Sequence, residues 1–208
     1  SDVDELGAHS TIPVLNGLTD TDHPTQLLAD WLTIREVFGS DVSGRKFTYV
    51  GDGNNMAHAW LTMGAIMGAH VVVATPDGKW APAKDAIQSA KNIASKTGAK
   101  IEVLNDPEAA AKDASVLYTD VWMSMGDPEE VRTEKLKALA PFAITKNLMS
   151  LTASDSIFMH CLPAHRGEEV AAEVIDGPKS VIWREAFHRR TTIQAVLYHL
   201  VRGELTGN

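Results

Sequence analysis

The sequence predicts a single α/β domain in which a parallel sheet carries helices on both faces. Short apolar runs of strand length alternate with longer segments of helical period, the rhythm of βαβ units with right-handed crossovers. No internal repeat, low-complexity tract or Pro- and Gly-rich linker interrupts that rhythm. With 208 residues, 44% of them hydrophobic and 22% charged, the chain is long enough for one well-packed core and leaves no room for a second full domain. Residues 1–22 read as a lead-in segment and residues 23–208 as the domain, closed by a long C-terminal helix.

In chain order, Ile12 to Leu15 is a short apolar piece that fits either an edge strand or the tail of an earlier element. Asp22-His23-Pro24-Thr25-Gln26 then opens a helix whose Leu27, Leu28, Trp31, Leu32 and Phe38 fall on one face. Lys46 to Val50 is a strand that runs into Gly51-Asp52-Gly53-Asn54-Asn55 and a helix carrying Met56, Trp60, Met63 and Met67 along one side. His70 to Pro76 forms another strand, Ala83 to Lys96 a helix ending near Gly98, and Ile101 to Leu104 a third strand. Asp106-Pro107 starts a short helix over residues 108–112. Ser115 to Thr119 is the next strand, Val131 to Ala138 and Thr145 to Leu151 are short helices, and Ser156 to Met159 is a buried parallel strand. Val181 to Trp183 reads as a further strand before a final helix with Ile193, Val196, Leu197, Leu200 and Val201 on one face and His188, Arg189 and Arg190 at its start.

Ligands of open α/β sheets sit beyond the carboxyl ends of the strands, where the Gly51, Asp120 and Cys161 loops are expected to gather. The run Phe158 to Gly167 passes from apolar residues to the only cysteine and at once into imidazole and guanidinium groups. Pro163 cannot continue a ladder, so His160, Cys161 and Leu162 face a crevice; an inert buried thiol is the alternative. Asp120 suits a substrate ammonium, with the Ser124 hydroxyl nearby, or else caps a turn. Asn55 offers an amide at a strand end or serves turn geometry. His23 and Gln26 flank a helix N-terminus, a natural anion site, or belong to a Pro-punctuated turn. Arg189 presents a guanidinium fork for a carbonyl or phosphate oxygen, or lies on a solvated basic helix. Met56 stands where a Gly-x-Gly-x-x-Gly fingerprint needs its third glycine, which disfavours a dinucleotide.

Composition narrows the partners. A net charge of −8 with no basic run argues against nucleic acid. No apolar stretch reaches the roughly 20 residues needed to cross a bilayer, so no membrane is expected. A single cysteine cannot form an internal disulfide and the opening residues lack signal-peptide features, so the expected compartment is a reducing cytoplasm.

His-Cys-Leu-Pro followed by Ala-His-Arg-Gly-Glu-Glu, residues 160–169, resembles the signature of the carbamoyltransferases, and among them of the ornithine carbamoyltransferase family. His-Pro-x-Gln at 23–26, Gly-Asp-Gly-Asn-Asn at 51–55 and Thr-Asp-x-Trp-x-Ser-Met-Gly at 119–126 are similar to segments of the same family. The resemblance implies a Rossmann-like ornithine-binding domain and transfer of the carbamoyl group of carbamoyl phosphate to the δ-amino group of ornithine. Citrulline and phosphate form with no metal and no organic cofactor, as a step of arginine biosynthesis or urea-cycle type. By that resemblance Asn55, Asp120, Ser124 and Met125 hold ornithine, and His23, Gln26, Cys161, Leu162 and Arg189 address carbamoyl phosphate. Cys161, Asp120 and Arg189 then act at the reacting centre, Cys161 as a ligand to the amine end rather than a covalent nucleophile. A homotrimer is implied as well. Phe187, His188 and Thr191 depart from the Glu, Asn and His usual around the family's arginine. The Ser-Thr-Arg-Thr-type helix start that grips the phosphate in that family does not occur in the sequence, so the carbamoyl-phosphate domain is expected to be missing. A catalytically silent amino-acid-binding or regulatory relative is the alternative reading.

Overall fold

A computed structural model describes residues 2–123 and 128–204. Five parallel strands, β1 (Lys46–Val50), β2 (His70–Ala74), β3 (Lys100–Leu104), β4 (Val116–Thr119) and β5 (Ile157–His160), form one sheet in the order β3-β2-β1-β4-β5. Thr48 at its centre lies opposite Val72 on one side and Leu117 on the other. The helices are α1 (Asp2–His9), α2 (Pro24–Phe38), α3 (Asn55–Ile66), α4 (Lys84–Thr97), α5 (Pro107–Ala111), α6 (Arg132–Leu139), α7 (Lys146–Ser150), α8 (Ala172–Ile175) and α9 (Ile182–Val201).

The strands are apolar on both sides because both sides are covered. Phe47, Tyr49, Val71, Val73, Tyr118 and Met159 pack with Leu27, Trp31 and Ile34 of α2, Trp60 of α3 and Ala90 of α4. Val50, Val72, Leu117 and Phe158 face the other layer, where Ala110, Leu148, Ile175 and Ile182 come from α5, α7, α8 and α9. Polar side chains set the helix starts: Asp106 accepts from the N–H groups of Glu108 and Ala109, and Thr145 accepts from that of Leu148. Gly98 in the left-handed region, φ 81°, ends α4 where the chain turns into β3.

Four expectations need correction. The lead-in begins as α1, and Ile12 to Leu15 is neither strand nor helix. On α2 the buried face is Gln26, Leu27, Asp30, Trp31 and Ile34, whereas Leu28 and Leu32 are 37% and 38% exposed. Counting apolar residues alone missed that face because two of its members are polar. Val181 to Trp183 is not a strand: Ser180 makes one bridge to Phe158, Val181 N–H bonds the Phe158 carbonyl, and α9 starts at Ile182. Arg189 therefore sits two turns inside α9, and the stripe expected along its later half is open, with Leu197 and Val201 49% and 88% exposed.

The chain leaves β1 for β2 on one side and returns to β4 on the other, so the β1 and β4 ends flank the point where strand order reverses. The turn after β1 is clamped there. Asp52 pairs with Lys135 of α6 at 2.7 Å, with both side chains buried, and Gly53 N–H donates to the Trp80 carbonyl at 2.9 Å. A Cβ at Gly53 would lie 2.3 Å from the backbone carbon of Ala81 and the nitrogen of Pro82, so only glycine permits this approach. Gly53→Ala is expected to destabilise by about 1–3 kcal/mol, at about 2–4 °C of melting temperature per kcal/mol for a chain this size. Gly17→Ala, which meets nothing within 4 Å, is expected to stay within about 0.5 kcal/mol. Equal melting temperatures for the two variants would contradict the close packing.

Candidate active site

Three strand ends converge on Asp120, the first residue after β4. Its Oδ1 accepts the Cys161 thiol at 2.9 Å from the end of β5 and its own neighbour Val121 N–H at 2.7 Å. Its Oδ2 accepts Asn54 Nδ2 at 2.9 Å from the turn after β1. Asn54 is also the N-cap of α3, its oxygen taking the N–H groups of Met56 and Ala57. The helix start and the carboxylate are thus held by one side chain. Burial pushes the Cys161 thiol well above its ordinary range and the adjacent Asp120 charge pushes it further, so the sulfur keeps its proton at neutral pH. The ligand atoms of Asp120, His160 and Cys161 lie within 4.8 Å of one another, and the hydrogen bond from Cys161 to Asp120 links two of the three.

The chain leaves β5 sharply. Leu162 has φ 58°, its peptide bond to Pro163 is cis, and its N–H donates to His160 Nδ1 at 2.9 Å. His160 N–H in turn donates to Glu185 Oε2 of α9 at 3.0 Å, which joins this edge to a second cluster.

In that cluster Arg189 reaches from α9 to the start of α2. Its Nη1 donates to Gln26 Oε1 and lies 3.1 Å from His23 Nε2. Burial and the Arg189 charge lower the His23 pKa to about 4, so the ring is neutral at pH 7 and accepts from the guanidinium. Gln26 spends both of its donors inside, on Asp30 Oδ1 at 2.7 Å and Glu185 Oε1 at 2.9 Å. Burial raises Asp30 to about 7 and Glu185 well above the carboxylate range, so the pair holds at least one proton at neutral pH. Arg189 Nε has no hydrogen-bond partner among the described residues.

The structure thus brings Asp120 and Cys161 into one contact group and His23, Gln26 and Arg189 into another. Asn55 points elsewhere, donating to the Thr19 carbonyl of the lead-in at 2.8 Å. Ser124 and Met125 lie outside the described residues. Asn54, Asp30 and Glu185 were not singled out from sequence. Asp30, four residues after Gln26 on the buried side of α2, was the available signal: a carboxylate among Leu27, Trp31 and Ile34 needs a polar partner.

The sequence model for the Asp/Orn binding domain of aspartate/ornithine carbamoyltransferases matches residues 43–200. The chain belongs to the aspartate/ornithine carbamoyltransferase family. The model for that family's carbamoyl-P binding domain also matches, over residues 1–36. Among relatives, ornithine carbamoyltransferase of Pyrococcus horikoshii is 49% identical over 206 residues, which are 99% of this chain and 64% of the relative. The solved ornithine carbamoyltransferase of Pyrococcus furiosus superposes with a TM-score of 0.91 at 48% identity, covering 99% of this chain and 64% of that one. The anabolic enzyme of Campylobacter jejuni superposes with a TM-score of 0.90 at 36% identity, over 96% and 65%. The chain therefore spans a little under two thirds of the length of these carbamoyltransferases.

The thiol–carboxylate contact sets the reactivity of Cys161. Alkylation of the native protein by iodoacetamide at pH 8 is expected to be slow, and Asp120→Asn is expected to accelerate it about tenfold for each unit by which the thiol pKa falls. Mass spectrometry of time points measures both rates. No acceleration in the folded variant removes the coupling.

Proposed function

We propose that this chain carries the ornithine-binding part of an ornithine carbamoyltransferase, which converts carbamoyl phosphate and L-ornithine to L-citrulline and phosphate. The observation that carries the reading is the meeting of two clusters on one sheet edge, Asp120–Cys161–Asn54 and His23–Gln26–Arg189, joined through Glu185 and the His160 N–H. The names of the relatives support the same reaction, and the name "anabolic" on the Campylobacter jejuni enzyme supports the biosynthetic direction, that of arginine synthesis.

In this mechanism the uncharged δ-amine attacks the carbamoyl carbon. The new C–N bond forms, the C–O bond to phosphate breaks, and the proton lost by nitrogen leaves with the phosphate. Arg189 polarises the carbamoyl oxygen, with neutral His23 beside it as a second polar contact and Leu162 at the turn. Asp120 pairs with the α-ammonium of ornithine, Cys161 lies against the amine end, and Ser124, Met125 and Asn55 complete the amino-acid contacts. Asn55 must release the Thr19 carbonyl to do so. Holding both reactants in register contributes on the order of 7–11 kcal/mol in favourable cases.

In this reading residues 1–22 are a lead-in, residues 23–208 are the ornithine-binding domain, and the assembly is a cytoplasmic homotrimer. Exposed Trp183, Phe187 and Val201 on α9 and Leu28 and Leu32 on α2 give such an assembly apolar surface to cover.

Calorimetric titration with L-ornithine, alongside a colorimetric citrulline assay with both substrates, tests the reading. Asp120→Asn is expected to weaken ornithine binding by about 2–5 kcal/mol, as for a desolvated charge pair that loses one partner. Equal affinity in the folded variant would take Asp120 out of the site.

A further inference from the structure

Asp30 and Glu185 are buried carboxyl groups to which the reaction above assigns no role, and both bind the same amide. Gln26 lies between them and Arg189: both N–H donors of its Nε2 go to carboxyl oxygens, and its own oxygen takes the guanidinium. The two ends of a glutamine amide are nearly alike in shape, so its partners decide which end points where. Here one orientation satisfies every bond. The flipped amide would set its NH2 group against Arg189 and its oxygen against two carboxyl groups.

The pair is itself anchored on several elements. Glu185 accepts Tyr118 OH of β4 at 3.3 Å and the backbone N–H of His160 at the end of β5 at 3.0 Å. Asp30 belongs to α2, one helical turn beyond Gln26, and shows no surface. Gln26 is therefore gripped from its own helix, from α9 and, through Glu185, from the two strands that supply Asp120 and Cys161.

We propose that Asp30 and Glu185 are positioning residues that lock the Gln26 amide so that its oxygen holds Arg189 against His23. The inference rests on the functional reading above only for what Arg189 then faces; the locking needs no ligand. The charged or titratable groups facing the pair are Tyr118 directly, Arg189 across Gln26, and Asp120 and Cys161 at the neighbouring strand ends. None of these replaces the two acceptors that Gln26 uses.

His23 reports on the lock, because the Arg189 charge is one of the two causes that hold its ring neutral. The test is an NMR titration of the His23 ring in the full chain with labelled histidine and no ligand. The native midpoint is expected at about 4. Glu185→Gln puts an amide donor where the donors of Gln26, Tyr118 and His160 already converge, and Asp30→Leu removes the second acceptor. Each variant is expected to release Arg189 and raise the midpoint by about one unit, toward the ordinary histidine value. Ile34→Ala, which opens a cavity on the same helix away from Gln26, is expected to leave the midpoint at about 4. An unmoved midpoint in either carboxyl variant, once circular dichroism shows it folded, overturns the proposal. So does an equal rise in Ile34→Ala, since loosening α2 would then suffice. L-Ornithine binding on the same samples addresses the functional reading separately: a native chain that does not bind it, together with the expected His23 shifts, leaves the lock standing and removes that reading.

Discussion

The carboxylate of Asp120 is the point on which the rest of the site depends. Backbone hydrogen bonds hold β1, β4 and β5 side by side, but they do not fix the loops beyond them. Asp120 does so by receiving a thiol from one loop and an amide from another. Because Asn54 caps α3 with its other end, the direction of that helix is coupled to the same carboxylate. A change at Asp120 is felt at two loops and one helix, which is why its removal differs in kind from loss of a surface charge.

The junction between α2 and α9 is organised on a different principle. The two helices are joined by polar contacts, Glu36 with Arg184 and His188 toward the surface and, buried, Gln26 with Asp30, Glu185 and Arg189. Such a network adds little net stability, since desolvation of its members offsets much of the attraction. Its value lies in rejecting alternatives, because any slip of one helix along the other strands a buried carboxyl or guanidinium without a partner. Shape complementarity among leucines alone would tolerate such a slip more readily.

Much of the architecture was legible in the sequence where one local rule sufficed. The five strands stand within about two residues of their expected bounds, since short runs rich in apolar β-branched and aromatic residues bounded by Gly, Asp or Pro admit few other readings. Asp106 and Gly98 punctuate as their chemistry demands. The expected meeting of the Gly51, Asp120 and Cys161 loops also follows from parallel order alone. What failed was whatever depended on a partner far along the chain. Leu28 and Leu32 looked like core because they are apolar, and the true face of α2 was hidden by Gln26 and Asp30, whose burial makes sense only beside Glu185 and Arg189. Val181 to Trp183 has strand composition, but β5 bonds only the Lys179 carbonyl and the Val181 N–H, a single bridge at Ser180, before the helix begins. The two asparagines at 54 and 55 are indistinguishable by type; their different partners, Asp120 and Thr19, are set by the tertiary fold.

The bond between Arg189 and Gln26 spans 163 residues, and that between Gln26 and Glu185 spans 159. Contacts of such separation carry a large loop-closure entropy and raise the contact order of the fold, which slows folding. On the ribosome, α2 is synthesised before any strand of the sheet, and Gln26 and Asp30 meet Glu185 and Arg189 only after α9 has followed. The strand-edge group of Asp120, Cys161 and Asn54 is complete once β5 has emerged. All residues of one cluster have therefore been synthesised while the other still lacks its arginine.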